Sequence, residues 1–213
     1  VDPGLESPDT THYSIVDQWG NAVSNTYTIN WNYGSGVVVE GAGFLLNNEM
    51  DDFSAKPGVP NIFGVVGNVA NEIQPEKRML SSMSPTILLK DGNVEMVLGT
   101  PGGSTIFTSV FQTIVNIMDF DMSPYEAIES TRFHHQLLPP DEITYNGFTI
   151  GNPLPKETIS QLVEKGYKAI PHDYDFGDVQ VIMREDESWI AASDPRDRGD
   201  SRIISVPKSQ ENQ

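Results

Sequence analysis

The chain has no cysteine in its 213 residues. Disulfide bonds and thiolate metal ligands are therefore excluded, and the compartment stays open. Positive charge is scarce: 13 lysines and arginines face 30 aspartates and glutamates, a formal net charge of −17. Phosphate backbones and anionic lipid repel such a surface, which argues against nucleic acid or an acidic membrane surface as partner. No apolar run approaches the roughly 18 residues of a membrane-crossing helix. There is no initial methionine and no visible signal peptide. Residues 1–9, polar with two prolines and a glycine, read as a linker or tail, and the sequence is expected to be a fragment of a longer precursor. What remains, 38% hydrophobic and 20% charged, is the composition of one large globular domain rather than a disordered segment.

The chain is organised around Asp9-Thr10-Thr11-His12-Tyr13-Ser14. From Thr11 the residues alternate as in a strand, with Thr11, Tyr13 and Ile15 on one face and His12, Ser14 and Val16 on the other. A return strand is expected over residues 21–29, across a turn at Gly20. A threonine hydroxyl is a weak nucleophile without a base beside it. If the bond before Thr10 is cut, the freed α-amine, with a reference pKa near ~8, becomes that base. Taken alone, two threonines are ordinary strand filler.

Further along, Phe44-Leu45-Leu46 reads as a buried strand running into Asn47-Asn48-Glu49-Met50-Asp51-Asp52, the way many sites are built. Residues 55–74 form a long loop, a lid or mobile segment. A hairpin follows, with strands at 86–89 and 94–98 around Lys90-Asp91-Gly92-Asn93. Gly102-Gly103-Ser104 opens a helix with Ser104 as N-cap, and Ile106, Val110, Phe111, Ile114, Ile117 and Met118 supply its apolar face. Bare N–H groups there suit an anion or a developing oxyanion, and equally a tight turn that needs glycine. Ser123-Pro124-Tyr125-Glu126 is a capping box, with the helix ending at Arg132-Phe133-His134-His135-Gln136. The adjacent histidines lack partners at metal-ligand spacing and are assigned to packing. Another helix is expected over 155–165, stopped by Gly166, then late strands at 179–183 and 189–192. The charges of 194–202 read as a solvated network. Strands, then helices, then strands make an α+β layered domain more fitting than a doubly wound one.

Together these stretches resemble the small subunit of γ-glutamyltranspeptidases, in the N-terminal-nucleophile hydrolase superfamily. The resemblance rests on Thr10-Thr11-His12-Tyr13-Ser14, Thr28-Ile29-Asn30, Leu46 through Phe53, Leu80-Ser81-Ser82-Met83-Ser84-Pro85-Thr86, Pro101-Gly102-Gly103-Ser104, Arg132 through Gln136 and Ser193-Asp194-Pro195-Arg196, in the family's order. It implies a four-layer αββα sandwich and a precursor that cuts itself between Asp9 and Thr10. Thr10 is then nucleophile and its own base, and Thr28 holds its hydroxyl. Asn30, Glu49 and Asp52 resemble the residues that grip a donor's α-ammonium, for which carboxylates are apt. Ser81 and Ser82 match the pair for its α-carboxylate, and Gly102 and Gly103 the oxyanion hole. Residues 57–67 match the lid, with Phe63 where some members carry tyrosine.

The implied activity is γ-glutamyl transfer or hydrolysis on glutathione-like amides, with an amino acid, peptide or water as acceptor and no metal or other cofactor. Residues 1–9 would be the tail of a large subunit, the heterodimer partner, and residues 10–213 the catalytic domain. The uncut chain alone is expected to be inactive. The family's usual place is the periplasm or outside the cell. Rival readings are an acylase of the same fold, acting on poly-γ-glutamate or a glutaryl side chain, and an unprocessed non-catalytic homologue.

Overall fold

The computed structural model describes residues 10–147, 154–173, 175–196 and 199–205. β1 (Thr11–Val16) and β2 (Ala22–Tyr27) pair antiparallel, Thr11 opposite Tyr27 and Val16 opposite Ala22. The Asp17 carboxylate closes their turn by accepting the N–H groups of Trp19 and Asn21, each at 2.9 Å. The second strand is shorter than expected from sequence, because Asn30 takes φ of 77°, a left-handed conformation that ends extended structure.

β3 (Thr86–Lys90) and β4 (Asn93–Gly99) form the next hairpin, and Asp91 and Gly92 supply the two positive φ angles of its turn. Then come α1 (Ile106–Met118), α2 (Pro124–Glu129), β5 (Phe133–His134), β6 (Glu142–Asn146), α3 (Lys156–Glu164), β7 (Lys168–His172), β8 (Gln180–Glu185) and β9 (Ser188–Ser193). The main sheet is antiparallel in the order β3-β4-β8-β9, and a smaller sheet runs β5-β6-β7. β6 and β7 are parallel, a pairing that needs a crossover, here α3.

The period of two in β4 builds the layers. Met96 and Leu98, with Val181 and Ala192, pack against Val110 and Ile117 of α1 and Ala127 and Ile128 of α2. Full burial of each large aliphatic side chain contributes about 1.5–3 kcal/mol. On the opposite face Val97 is fully buried, Ser24 Oγ donates to the Leu98 carbonyl at 2.9 Å, and the His12 ring lies where a β-carbon on Gly99 would stand. Helices, sheet and the β1–β2 hairpin thus make three layers. The hairpin's outer face leaves Tyr13, Ile15, Val23 and Tyr27 exposed.

The structure departs from the sequence expectations in four further places. Phe44 and Leu46 are exposed, and this stretch makes only an isolated bridge between Leu45 and Val38; three apolar residues without a sheet neighbour do not form a buried strand. Ser104 is not the cap of α1: Gly103–Thr105 is a short 3-10 helix, and Thr105 precedes α1 without a side-chain cap. The capping box of α2 is present, but that helix ends at Glu129, and Phe133–His134 instead joins β6. Asp194 and Arg196 are not solvated; with Arg132 they form a buried ionic cluster.

Candidate active site

Asp9 lies outside the described residues. Thr10 precedes β1 and shares a face with His12, two residues on. Thr11 pairs with Tyr27, so Thr10 and Thr28 both adjoin the same end of the hairpin. Thr28 Oγ1 accepts the Asn30 N–H at 2.8 Å, which leaves its own hydroxyl hydrogen for another acceptor. His12 wedges the hairpin to the sheet, its Nδ1 2.7 Å from Thr26 Oγ1 and its Nε2 3.0 Å from Ser14 Oγ. Burial pulls its pKa down to about 4, so it is a neutral spacer at pH 7. Thr10 itself is half-buried and lines a cavity of about 540 Å³ with Pro101, Asp178 and Gln180.

The acids come from a 3-10 helix, Glu49–Asp52. Three residues per turn eclipse side chains at i and i+3, so Glu49 and Asp52 stand one above the other. Burial raises the Glu49 pKa to about 7, with the Asp52 charge adding to it. Burial raises Asp52 to about 6, with Asp51 adding. Glu49 Oε1 is buried without a hydrogen-bond partner. Asn30 Nδ2 donates to the Asn48 carbonyl at 3.2 Å, and Asn48 Oδ1 accepts from Trp31 N at 3.2 Å. Asn48, which sequence reasoning did not single out, therefore ties the Thr28–Asn30 turn to the acid helix.

Gly102 and Gly103 sit at φ of 133° and 54°, outside the usual range of L side chains. A β-carbon on Gly103 would stand 3.0 Å from Phe63 Cδ1, so the lid tip touches the glycine turn. Asn61 holds the lid: its Oδ1 accepts the N–H groups of Phe63 at 3.1 Å and Val65 at 2.9 Å, and its Nδ2 donates to the Asp51 carbonyl at 3.3 Å. Asp52, Ser82, Asn61, Phe63 and Ser104 surround one cavity of about 240 Å³. Of the predicted residues, Asp52 and Ser82 are thus brought together beneath the lid. Asn30, Glu49 and Ser81 do not line that cavity; Ser81 is exposed, and its Oγ accepts from Met83 N at 3.2 Å. Thr10 does not line it either. The Pro101–Ser104 turn stands between, with Pro101 on the Thr10 side and Ser104 on the lid side.

His134 is buried beneath this turn. Its Nδ1 lies 2.9 Å from Thr108 Oγ1 and its Nε2 2.6 Å from Gln136 Oε1, and the ring meets Phe107 and Phe176 edge-on. That agrees with the packing role expected of it. Among the described residues, no group of three or more His, Cys, Asp or Glu side chains is placed to hold a metal. No described helix is long and apolar enough to cross a membrane.

The description gamma-glutamyltranspeptidase belongs to the family model that matches residues 2–204. The chain is 56% identical over 204 residues to a glutathione hydrolase proenzyme of Pseudomonas aeruginosa, covering 96% of this chain and 36% of that protein. It is 48% identical over 191 residues to the glutathione hydrolase proenzyme of Escherichia coli, covering 90% of this chain and 32% of that one. It thus spans about a third of the length of these relatives. The solved gamma-glutamyltranspeptidase from Pseudomonas nitroreducens, complexed with L-DON, superposes with a TM-score of 0.85 at 55% identity, over 92% of this chain and all of the matched one. By sequence and by fold, the chain belongs to the gamma-glutamyltranspeptidase family.

Proposed function

We propose that residues 10–213 are the catalytic small-subunit domain of an enzyme that transfers or hydrolyses γ-glutamyl groups of glutathione and related amides. The observation that carries this reading is the Glu49–Asp52 pair: two stacked carboxylates, both raised in pKa and neither in an ion pair among the described residues. An ammonium completes such a site, which suits the α-amino group of a γ-glutamyl donor. Asn30, anchored through Asn48, offers its amide oxygen to the same group. Ser81 and Ser82 receive the donor's α-carboxylate.

The chemistry follows from the amino end. After cleavage between Asp9 and Thr10, the Thr10 amine takes the proton of its own hydroxyl, and Oγ1 attacks the γ-carbonyl carbon. The Thr28 hydroxyl orients that oxygen. Backbone N–H groups at Gly102 and Gly103 meet the oxyanion. The amine leaves with the proton, and water or another amine then resolves the γ-glutamyl ester.

The rest of the enzyme is a large subunit, of which residues 1–9 are the tail. The exposed apolar face of the β1–β2 hairpin is where its strands and helices would complete a four-layer αββα sandwich; an exposed sheet face of this kind is ordinarily covered. The periplasm or the cell exterior is the proposed location. Thr10→Ala in the full precursor tests the reading. Intact mass should show a single uncut chain, and a chromogenic γ-glutamyl anilide should not be turned over. Normal cleavage at the same bond would overturn it.

A further inference from the structure

The end of β4 reaches two parts of the proposed site at once. Gly99 is its last residue, and Thr100 and Pro101 lead from it straight into the Gly102–Gly103 turn. On the same residue rests the ring of His12, two positions from Thr10 along the chain and on the same face. We infer that Gly99 is a positioning residue: having no side chain, it seats the His12 ring on β4, and that seat sets the distance between the Thr10 hydroxyl and the oxyanion turn. The inference rests on the γ-glutamyl transfer reading above, in which that hydroxyl attacks and that turn receives the negative charge.

The contact leaves no slack. A β-carbon on Gly99 would overlap Cε1 and Nδ1 of His12 and stand 2.9 Å from Nε2. Gly99 is not in the left-handed region, so only the space is at issue. The strand cannot recede, because Gly99 pairs with Gln180 of β8. The His12 ring is buried and tied to Thr26 Oγ1 at 2.7 Å and Ser14 Oγ at 3.0 Å, so it cannot swing clear without losing both. Being neutral at pH 7, it acts by its shape. On the other side of the seat, Thr100 is fully buried. Its Oγ1 donates to the Pro101 carbonyl and accepts the Asp178 N–H, both at 2.7 Å, which fixes the path from Gly99 to the turn. A change of height at Gly99 therefore passes through the ring to Thr10, while the turn keeps its place on the sheet.

Carbon atoms in contact stand about 3.5–4.0 Å apart, so a methyl group at position 99 obliges the ring and its hairpin to retreat by about an ångström. A misplacement of that size between nucleophile and oxyanion donors costs about 10²-fold in rate. Gly99 lines neither the Thr10 cavity nor the cavity beneath the lid, so it acts only through His12. The residues proposed to grip the donor, Glu49, Asp52, Ser81 and Ser82, belong to other segments and should bind it as before.

The test uses the two-subunit enzyme made from the full precursor, with a γ-glutamyl anilide as donor. Intact mass gives the fraction of chains cut before Thr10, and kcat is expressed per cut chain. Gly99→Ala should slow self-cleavage and lower kcat by about 10²-fold, with the donor KM within about threefold of wild type. His12→Ala alone should lose about tenfold in kcat, and Gly99→Ala combined with His12→Ala should lose no more than that, because the ring that the methyl group strikes is gone. A mere packing defect gives the opposite result, since the second truncation then adds to the first. Thr26→Val is isosteric and takes one hydrogen bond from the ring. It should lower kcat about fivefold at unchanged donor KM, and it keeps the inference falsifiable if Gly99→Ala does not fold. A kcat within about threefold of wild type in cut Gly99→Ala, or a wild-type kcat in Thr26→Val where Gly99→Ala does not fold, would remove the seat while the wild-type enzyme still turns over the anilide. A double variant as slow as Gly99→Ala would overturn it too, and so would a donor KM that rises while kcat holds. No anilide release by the wild-type enzyme would overturn the γ-glutamyl reading itself, and the inference with it.

Discussion

Two clusters of charge in this molecule are built on opposite principles. Around Asp194 the charges are paired, although Nε of Arg132 and Nε of Arg196 are buried without a hydrogen bond. Asp194 Oδ2 accepts from Arg132 at 2.7 Å and from Val179 N at 3.1 Å, and its Oδ1 accepts from Arg196 Nη1 at 3.0 Å. Arg132 also donates to the carbonyls of Ile128 and Gly177, and Arg196 to those of Glu129 and Ser130. Burial pulls the Arg132 guanidinium down in pKa and Asp194 holds it up. The cluster ties the end of α2 to the start of β5 and the segment after β9. Around Glu49 the charges are incomplete: acids stack on acids, a buried oxygen has no donor, and both pKa values are raised. Paired charges fix structure, whereas unpaired ones hold free energy that a ligand of the right charge can release.

The largest expected effect breaks the paired cluster. Asp194→Ala leaves the buried Arg132 without its carboxylate and Arg196 with only Asp175, 3.7 Å away, and should cost about 3–5 kcal/mol, read as a fall in the urea midpoint or as failure to accumulate folded protein. A loss below about 1 kcal/mol would show that the cluster is hydrated.

Next in size is loss of one acid from the unpaired cluster. Asp52→Ala should raise the donor KM about tenfold or more in the mature enzyme, through loss of a charge-assisted partner. A donor lacking the α-amino group should lose little further on this variant. Equal discrimination between the two donors by wild type and variant would remove Asp52 from ammonium binding.

The pH dependence sharpens the contrast further. Glu49 at about 7 and Asp52 at about 6 are partly protonated in the free site near neutrality. A bound ammonium favours their ionised forms, so donor binding releases protons, and donor affinity should fall as the pH drops from about 7 toward 5. Titration calorimetry in buffers of different ionisation enthalpy measures that release; uptake of protons at pH 6.5 would contradict it.

The smallest effect has the opposite sign to the first. A folded-state carboxyl pKa raised above the unfolded value means that the native state binds the extra proton, so stability falls as pH rises through the window from 4.5 to about 7. Glu49→Gln removes this opposition and should stabilise the protein at pH 8 by less than about 1 kcal/mol while weakening donor binding. Destabilisation at pH 8 would mean that Glu49 has a structural partner after all.

Several features could be read from residue order alone, because they are local. Alternation set the faces of β1, a positive-φ pair made the β3–β4 turn, and Ser123 with Glu126 capped α2, since each interaction lies within a few residues. The family resemblance marks out Glu49 and Asp52, and the 3-10 helix sets them as an eclipsed pair. The small sheet escaped notice because Phe133–His134 is too short to show a period and Glu142–Asn146 needs α3 and β7 to become a parallel strand. Asp194 and Arg196 depart from the solvated reading of 194–202 for a related reason, whereas Asp200 and Arg202 form the exposed pair it expects. Asp194, Arg132 and Arg196 look like surface charges in any local window, and only the docking of α2 against β9 removes them from water and pairs them across 62 and 2 residues. Sequence determined which groups are present and which lie within one turn of each other. The tertiary structure decided which charges are paired and which are left waiting, because pairing across the fold depends on distances that no local spacing encodes.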